Sequence, residues 1–461
     1  MLLRALCLLT IATAAAIADA KPTVTADDTT PLDAYTATPD PTFDWKVVKR
    51  NERDDCTELI VDLTSQRWRS EDEVSDPVWR HWLVIVVPKQ ATAETALLYI
   101  HRGSNDAPER AGSRFREAAL ATNTVVAELQ SVPNQPLRVL TSNAPQRDRY
   151  EDDLLAASWV ECMETGDPTW LAQLPMAKSA VAAMTAVQEA LAEEADAPAI
   201  TRFTVAGASK RGWTSWLAAI VDDRVAAVAP IVIDVLNIEP SIRHHYACYG
   251  FYSDALGDYE RAGLADRLTS PEGAAIRAIV DPYAYRQRLT LPKCLINASG
   301  DQFFLPDSSR FYFDDLVDEK HLSYTPNAGH GLGNTNALDT LVAFHAAVAH
   351  ELPRPTVTWT GDHAAAEHVV TCSAEPTEAV LWRAVNPTAR DFRHNIVGDA
   401  YKPTPLKPEA DGTYRIAITA PPEGYSATFA RFTFDIGGPK PFRISTPVWV
   451  APDVEPFADA N

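Results

Sequence analysis

From about residue 57 to residue 351 short apolar runs alternate with stretches of helical spacing, and this alternation constrains the fold more than any other feature. The runs fall at 58–63, 79–87, 96–100, 124–129, 202–206, 225–235, 292–298 and 321–325, bounded by Pro, Gly, Asn and Asp. Helical spacing covers 108–121, a long stretch broken near Gly166-Asp167-Pro168 and resumed over 176–194, and a last segment over 336–351. Short runs apolar throughout belong to strands buried on both faces. With helices between them they predict a mostly parallel sheet with helices on both sides.

Two segments leave this rhythm. Residues 237–290 are rich in aromatics, among them Tyr246, Tyr249, Phe251, Tyr252, Tyr259, Tyr283 and Tyr285, and predict an inserted helical cap over the carboxyl edge of the sheet. Past Pro353 the period becomes two, in runs at 356–359, 368–372, 379–384, 414–418 and 427–434 with Pro and Gly between them. That pattern predicts a separate β-sandwich of immunoglobulin or fibronectin spacing over 353–461.

The first twenty residues read as a signal peptide. Arg4 supplies the early charge, 6–17 the apolar stretch and Ala18-Asp19-Ala20 the small-x-small cleavage pattern, so cleavage is expected before Lys21 and the mature chain is expected to be secreted or periplasmic. Residues 21–44, rich in Thr, Pro and Asp, read as an extended arm, leaving 21–352 for the main domain. No later apolar run reaches the length of a membrane span. A net charge of −21 repels phosphates and so argues against nucleic acid and anionic membrane as partners. Cys56, Cys162, Cys248, Cys294 and Cys372 remain after cleavage, too widely spaced for a zinc motif or a small disulfide framework. Their odd number leaves at least one thiol, and any disulfide pairing stays unassigned.

The chemistry centres on the strand that runs into Gly207-Ala208-Ser209-Lys210-Arg211-Gly212. A serine hydroxyl needs a base, a carboxylate to orient the base, and donors for an oxyanion. A serine between a strand and a helix N-terminus has the nucleophile-elbow arrangement, although Arg211 stands where G-x-S-x-G has its second glycine and Gly212 follows one residue later. Asp301 and His330 each come just past a later strand, which gives the Ser…Asp…His order of α/β-hydrolases. Asp307 is the second choice of acid, and His321 and His345 are weaker bases. The amide of Lys210 and that of Arg102 or Gly103, after the third strand, are the expected oxyanion donors. Lys210 and Arg211 put two cations beside the serine, to hold an acidic substrate group, to support the oxyanion, or simply to form surface ion pairs. His244-His245 reads as an exposed pair rather than a ligand set. No metal motif, dinucleotide fingerprint or phosphate loop is present, so no cofactor is expected. The Asn297-Ala298-Ser299 sequon falls on a predicted buried strand and is discounted.

The chain resembles the PhoPQ-activated pathogenicity-related proteins, a group that also takes in the autocrine proliferation repressors. The likeness rests on Thr30-Pro31-Leu32-Asp33, Trp45-Lys46-Val47, Val132-Pro133-Asn134-Gln135-Pro136-Leu137, Gly207-Ala208-Ser209-Lys210-Arg211-Gly212-Trp213, Val232-Ile233-Asp234-Val235-Leu236-Asn237 and Gly300-Asp301-Gln302-Phe303-Phe304. It implies an α/β-hydrolase fold with a secretion signal. The Ser-Lys-Arg-Gly turn is also similar to the G-x-S-R-x-G turn of glucuronoyl esterases.

The expectation is therefore an α/β-hydrolase fold with a helical cap and a C-terminal β-sandwich. Its function would be that of a secreted serine hydrolase, esterase or peptidase, acting on a small-molecule, peptide or carbohydrate ester through Ser209, Asp301 and His330. The alternative is a secreted signalling or binding protein on the same scaffold with a vestigial triad.

Overall fold

The computed structural model describes residues 29–105, 113–141, 146–333 and 335–460. The expected signal peptide lies outside them, as does the first part of the helix expected over 108–121.

The strands up to the last helix of the main domain are β1 (Asp44–Glu52), β2 (Cys56–Arg67), β3 (Val78–Pro88), β4 (Thr95–Ile100), β5 (Val126–Leu129), β6 (Arg202–Ala208), β7 (Val225–Ile231), β8 (Lys293–Ala298) and β9 (Lys320–Thr325). They lie side by side in the order β1-β2-β3-β5-β4-β6-β7-β8-β9. β3 runs antiparallel to both β2 and β5, and from β5 to β9 every pairing is parallel. From β2 onward this is the strand order of an α/β-hydrolase fold, with its second strand reversed.

The helices are α1 (Pro31–Ala37), α2 (Ser113–Thr122), α3 (Glu151–Thr165), α4 (Gln173–Ala192), α5 (Lys210–Val221), α6 (Ile238–Tyr249), α7 (Gly257–Arg261), α8 (Leu264–Arg267), α9 (Pro271–Val280) and α10 (Ala337–Ala349). The two-residue period of a strand sends successive side chains into different cores. Leu98 and Ile100 of β4 join the layer that holds Met184 of α4 and Trp216 of α5. Leu97 and Tyr99 join the layer that holds Ala119 of α2 and Phe344 of α10. Gly166 ends α3 in the left-handed conformation, and Asp167 caps the short turn begun by Pro168, so the helix breaks where expected. Among the described residues no helix is long and apolar enough to cross a membrane.

The remaining strands are β10 (Val357–Thr360), β11 (Glu367–Cys372), β12 (Glu378–Asn386), β13 (Lys402–Pro405), β14 (Tyr414–Ala417), β15 (Tyr425–Phe434), β16 (Phe442–Ser445) and β17 (Trp449–Ala451). They form two antiparallel layers. β10, β11 and β14 make a three-stranded sheet, and the others extend the central sheet beyond β9 in the order β16-β15-β12-β13, with β17 on β15. The junction is Leu322 opposite Ser445, reinforced by a 2.9 Å hydrogen bond from the Tyr324 amide to Ser445 Oγ. Tyr414 and Phe432 pack edge to face between the layers.

Two sequence expectations change. The arm at 21–44 is not extended throughout: Thr30-Pro31-Leu32-Asp33 forms a capping box with Pro at the first helical position, which starts α1, and β1 follows before the first expected strand. The run at 225–235 stops being a strand at Ile231. The chain turns there because Asp234 is drawn into the interior, where the hydroxyls of Tyr312 and Tyr324 donate to its carboxyl. The five cysteines carry unpaired thiols, four of them buried.

Candidate active site

Ser209 sits between the end of β6 and the first turn of α5, with φ 59° and ψ −129°. A non-glycine residue held there is strained, and the surroundings fix it. The Ser209 amide donates to Ile231 O at 2.7 Å, and its carbonyl accepts from the Trp213 amide at 3.0 Å. The elbow is tight enough that a Cβ on Gly207 would come within 2.6 Å of Arg211 O, and one on Gly212 within 2.8 Å of Gly207 O. The contact that needs a small residue thus falls on Gly212, which is how Arg211 is tolerated one position earlier.

His330 Nε2 lies 2.9 Å from Ser209 Oγ. On its other side Nδ1 lies 2.9 and 3.0 Å from the two oxygens of Asp301. Asp301 is buried and also accepts from the Phe303 amide at 2.7 Å. Gln302 Oε1 accepts from the His330 amide at 2.8 Å, and the Phe303 ring packs at 4.3 Å from the imidazole. The sequence reading passed over Gln302 as a site residue, although it lies in the Gly300-Asp301-Gln302 motif.

The other candidates are used elsewhere. Asp307 is buried among His244, Arg310 and Arg390. Burial alone would raise its pKa, but Arg390 and His244 hold the carboxyl well below the usual range. His321 pairs with Glu319 at 2.9 Å. His345 lies in the core between the hydroxyls of Thr124 and Thr204, and burial pushes it down to about 3. Asn297 is buried in β8. His244 and His245, expected to be exposed, are buried: His245 packs against the rings of Tyr249 and Tyr252 and accepts from the Ser253 amide at 3.1 Å, and His244 lies where the C-terminal tail crosses α6. There the Phe457 amide donates to Ala247 O at 2.8 Å and Glu455 reaches His244 Nδ1 at 2.6 Å.

Lys210 and Arg211 do not form surface pairs. They are 6% and 4% exposed. Arg211 donates to both oxygens of Glu151 at 2.5 and 2.7 Å and through Nε to Val132 O at 2.5 Å. Lys210 Nζ lies 2.7 Å from Glu151 and 3.1 Å from Asp152. Burial would raise the pKa of Glu151, but the two cations hold it well below the usual carboxylate range. Gln135 extends this cluster: its amide nitrogen donates to Glu151 at 2.7 Å and to Gly103 O at 3.0 Å, and its oxygen accepts from the Glu151 amide at 2.8 Å. The loop after β4 is thereby tied to the serine turn. Among the described residues the amides of Arg102, Gly103 and Lys210 have no hydrogen-bond acceptor. Gly103 lies against Ser131, and Arg102 is exposed along the cleft that also holds Ser209 and His330.

Two spaces meet at Ser209. One is that cleft, of about 530 Å³, lined by His330, Arg102, Leu332 and Leu338 among others. The other is narrow, about 70 Å³, and is walled by α3, α5 and the helical segment 238–268.

The sequence model of a family described as PhoPQ-activated pathogenicity-related protein matches residues 32–393. Over 466 aligned positions the chain is 36% identical to the Autocrine proliferation repressor protein A of Dictyostelium discoideum, covering 94% of this chain and 92% of that protein. Similar solved structures include Acetyl Xylan Esterase 1 from Thermoanaerobacterium sp., at TM-score 0.44 and 14% identity over 69% of this chain and 93% of that one. A Glucuronoyl Esterase from Solibacter usitatus matches at TM-score 0.39 and 14% identity, over 69% and 91%. The acylaminoacyl peptidase of Pyrococcus horikoshii matches at TM-score 0.41 and 12% identity, over 67% and 50%.

Proposed function

The chain belongs to the PhoPQ-activated pathogenicity-related protein family, and from that premise we propose that it is a secreted serine hydrolase that cleaves a carboxylic ester through an acyl-enzyme. The observation that carries the reading is His330, with one ring nitrogen 2.9 Å from Ser209 Oγ and the other 2.9 Å from Asp301. Ser209 Oγ attacks the ester carbonyl as His330 Nε2 takes its proton. The oxyanion forms against the amides of Lys210 and of Arg102 or Gly103. The bond to the leaving oxygen breaks as Nε2 returns the proton to it. Water then attacks the acyl-serine, giving its proton to Nε2, and the released Ser209 Oγ takes that proton back. Asp301 keeps Nδ1 protonated and stabilises the imidazolium. Arg211 acts as a positioning residue, because its guanidinium is occupied by Glu151 and Val132.

The relative named as a proliferation repressor favours a second reading, a signalling or binding protein whose triad is unused. Labelling with a fluorophosphonate probe separates the two. Ser209 of the wild type should be modified and Ser209→Ala should not. A wild type that stays unlabelled, or a variant that labels equally well, removes the hydrolase reading.

A further inference from the structure

We infer that the substrate carries a short, uncharged apolar acyl group, which the narrow space beside Ser209 receives, while the leaving group occupies the open cleft. The inference rests on the hydrolase reading and adds which half of the substrate goes where.

His330 makes the assignment. The group that leaves must take a proton from Nε2, so it lies on the side that Nε2 faces. His330 lines the open cleft, together with Leu332 and Leu338, and does not line the narrow space. The acyl carbon's substituent therefore points the other way, between α3, α5 and the helical segment.

The walls there are Trp159, Trp213, Ile233, Ile242, Leu268 and Phe304. The sole cation in the lining is Lys210, and its ammonium is held between Glu151 and Asp152. Asp152 and Glu260 stand in the same lining. An acidic acyl group would enter without a cation to receive it and would face two carboxylates, and burying an unpaired charge is costly. The two cations beside the serine thus hold the elbow together and give no preference for an anionic substrate. Size adds a limit. The space measures about 70 Å³. That is roughly half of the ~150 Å³ that admits a benzene ring, room for on the order of three or four carbons.

The test is a series of 4-nitrophenyl esters from acetate through butyrate to octanoate, with the hemisuccinate as the charged match to butyrate. They are read as kcat/KM on wild type, Ile242→Ala and Ile242→Phe. Ile242 is half-buried, so both changes are tolerable. Each methylene that fits or fails to fit is worth several-fold, so wild type should prefer butyrate over octanoate and over hemisuccinate by roughly tenfold or more. Ile242→Ala should move the optimum to longer chains and Ile242→Phe to acetate. An ethoxy fluorophosphonate, small enough for all three proteins, reports separately on Ser209. Labelling with a flat chain-length profile, with preference for hemisuccinate, or with no shift in either variant overturns the acyl-group inference and leaves the hydrolase standing. Absence of labelling overturns both.

Discussion

Arg211 and Glu151 form a two-pronged ion pair, at 2.5 and 2.7 Å, directly behind the serine turn. The pair joins the start of α3 to the start of α5, and Gln135 continues it to Gly103. Removing the carboxylate leaves Lys210 buried with Asp152 as its remaining charged partner, and Arg211 buried with the Val132 carbonyl and no paired charge. Glu151→Gln should therefore lower stability by about 3–5 kcal/mol, read by chemical denaturation. Gln135→Ala leaves the charges balanced and releases the β4 loop. It should lower kcat by roughly tenfold or more with little change in KM, as expected when an oxyanion donor shifts. A rise in KM with kcat unchanged would place Gln135 in ground-state binding instead.

Asp301 accepts the Nδ1 proton of His330 with both oxygens. Asp301→Asn keeps the shape but favours the wrong tautomer, and kcat should fall by about 10⁴. The far-ultraviolet circular dichroism should stay as in wild type. A loss of less than about tenfold would mean that another group orients the imidazole.

The C-terminal layers reach the site through Tyr401. Its amide donates to Asn327 Oδ1 at 2.9 Å, its carbonyl accepts from Asn327 Nδ2 at 3.0 Å, and its hydroxyl donates to Ser299 O at 3.2 Å. Asn327 and Ser299 begin the loops that carry His330 and Asp301. Asn327 has φ 52°, which glycine adopts without strain, so Asn327→Gly removes the side-chain bonds and little else. Stability should drop by about 1–2 kcal/mol, while kcat/KM falls roughly ten- to a hundredfold as His330 loses its alignment. A chain ended at Leu352 would expose the edge of β9 and should aggregate, read by size-exclusion chromatography.

The parts of this molecule legible in the sequence are those fixed by local period and chain order. Apolar runs such as 96–100 and 202–206 emerge as β4 and β6, and Ser209, Asp301 and His330 come together from positions 29 and 121 residues apart. What escaped depends on contacts that sequence spacing does not encode. Glu151 looks like one of three acids opening a helix, and Gln135 like part of a proline-rich loop, until the fold sets Glu151 against Arg211 and Gln135 against Glu151. His244 carries no sign that a tail two hundred residues later will reach it. The capping box at Thr30 and Asp33 was readable, since Thr-Pro-x-Asp is itself a helix start, but the surrounding Thr, Pro and Asp masked it.

His244 gives the molecule a dependence on alkaline pH. It lies between Asp307, at 3.2 Å from Nε2, and Glu455, at 2.6 Å from Nδ1, with the Phe311 ring and the Cys248 sulfur beside it. Burial alone would push its pKa down, but the carboxylate of Asp307 outweighs this and brings it up to about 10. The unfolded value is near 6.5. A pKa raised on folding contributes stability that is fully present below the unfolded value and is lost as pH rises through the folded one. Wild type should thus exceed His244→Gln in stability by about 3 kcal/mol at pH 6, the low end for a broken buried pair because Asp307 keeps Arg390. The gap should close between pH 7 and 10. Denaturation of both proteins across that range cancels the Lys and Tyr titrations they share. A gap that stays constant with pH would mean that His244 is held neutral and contributes packing alone.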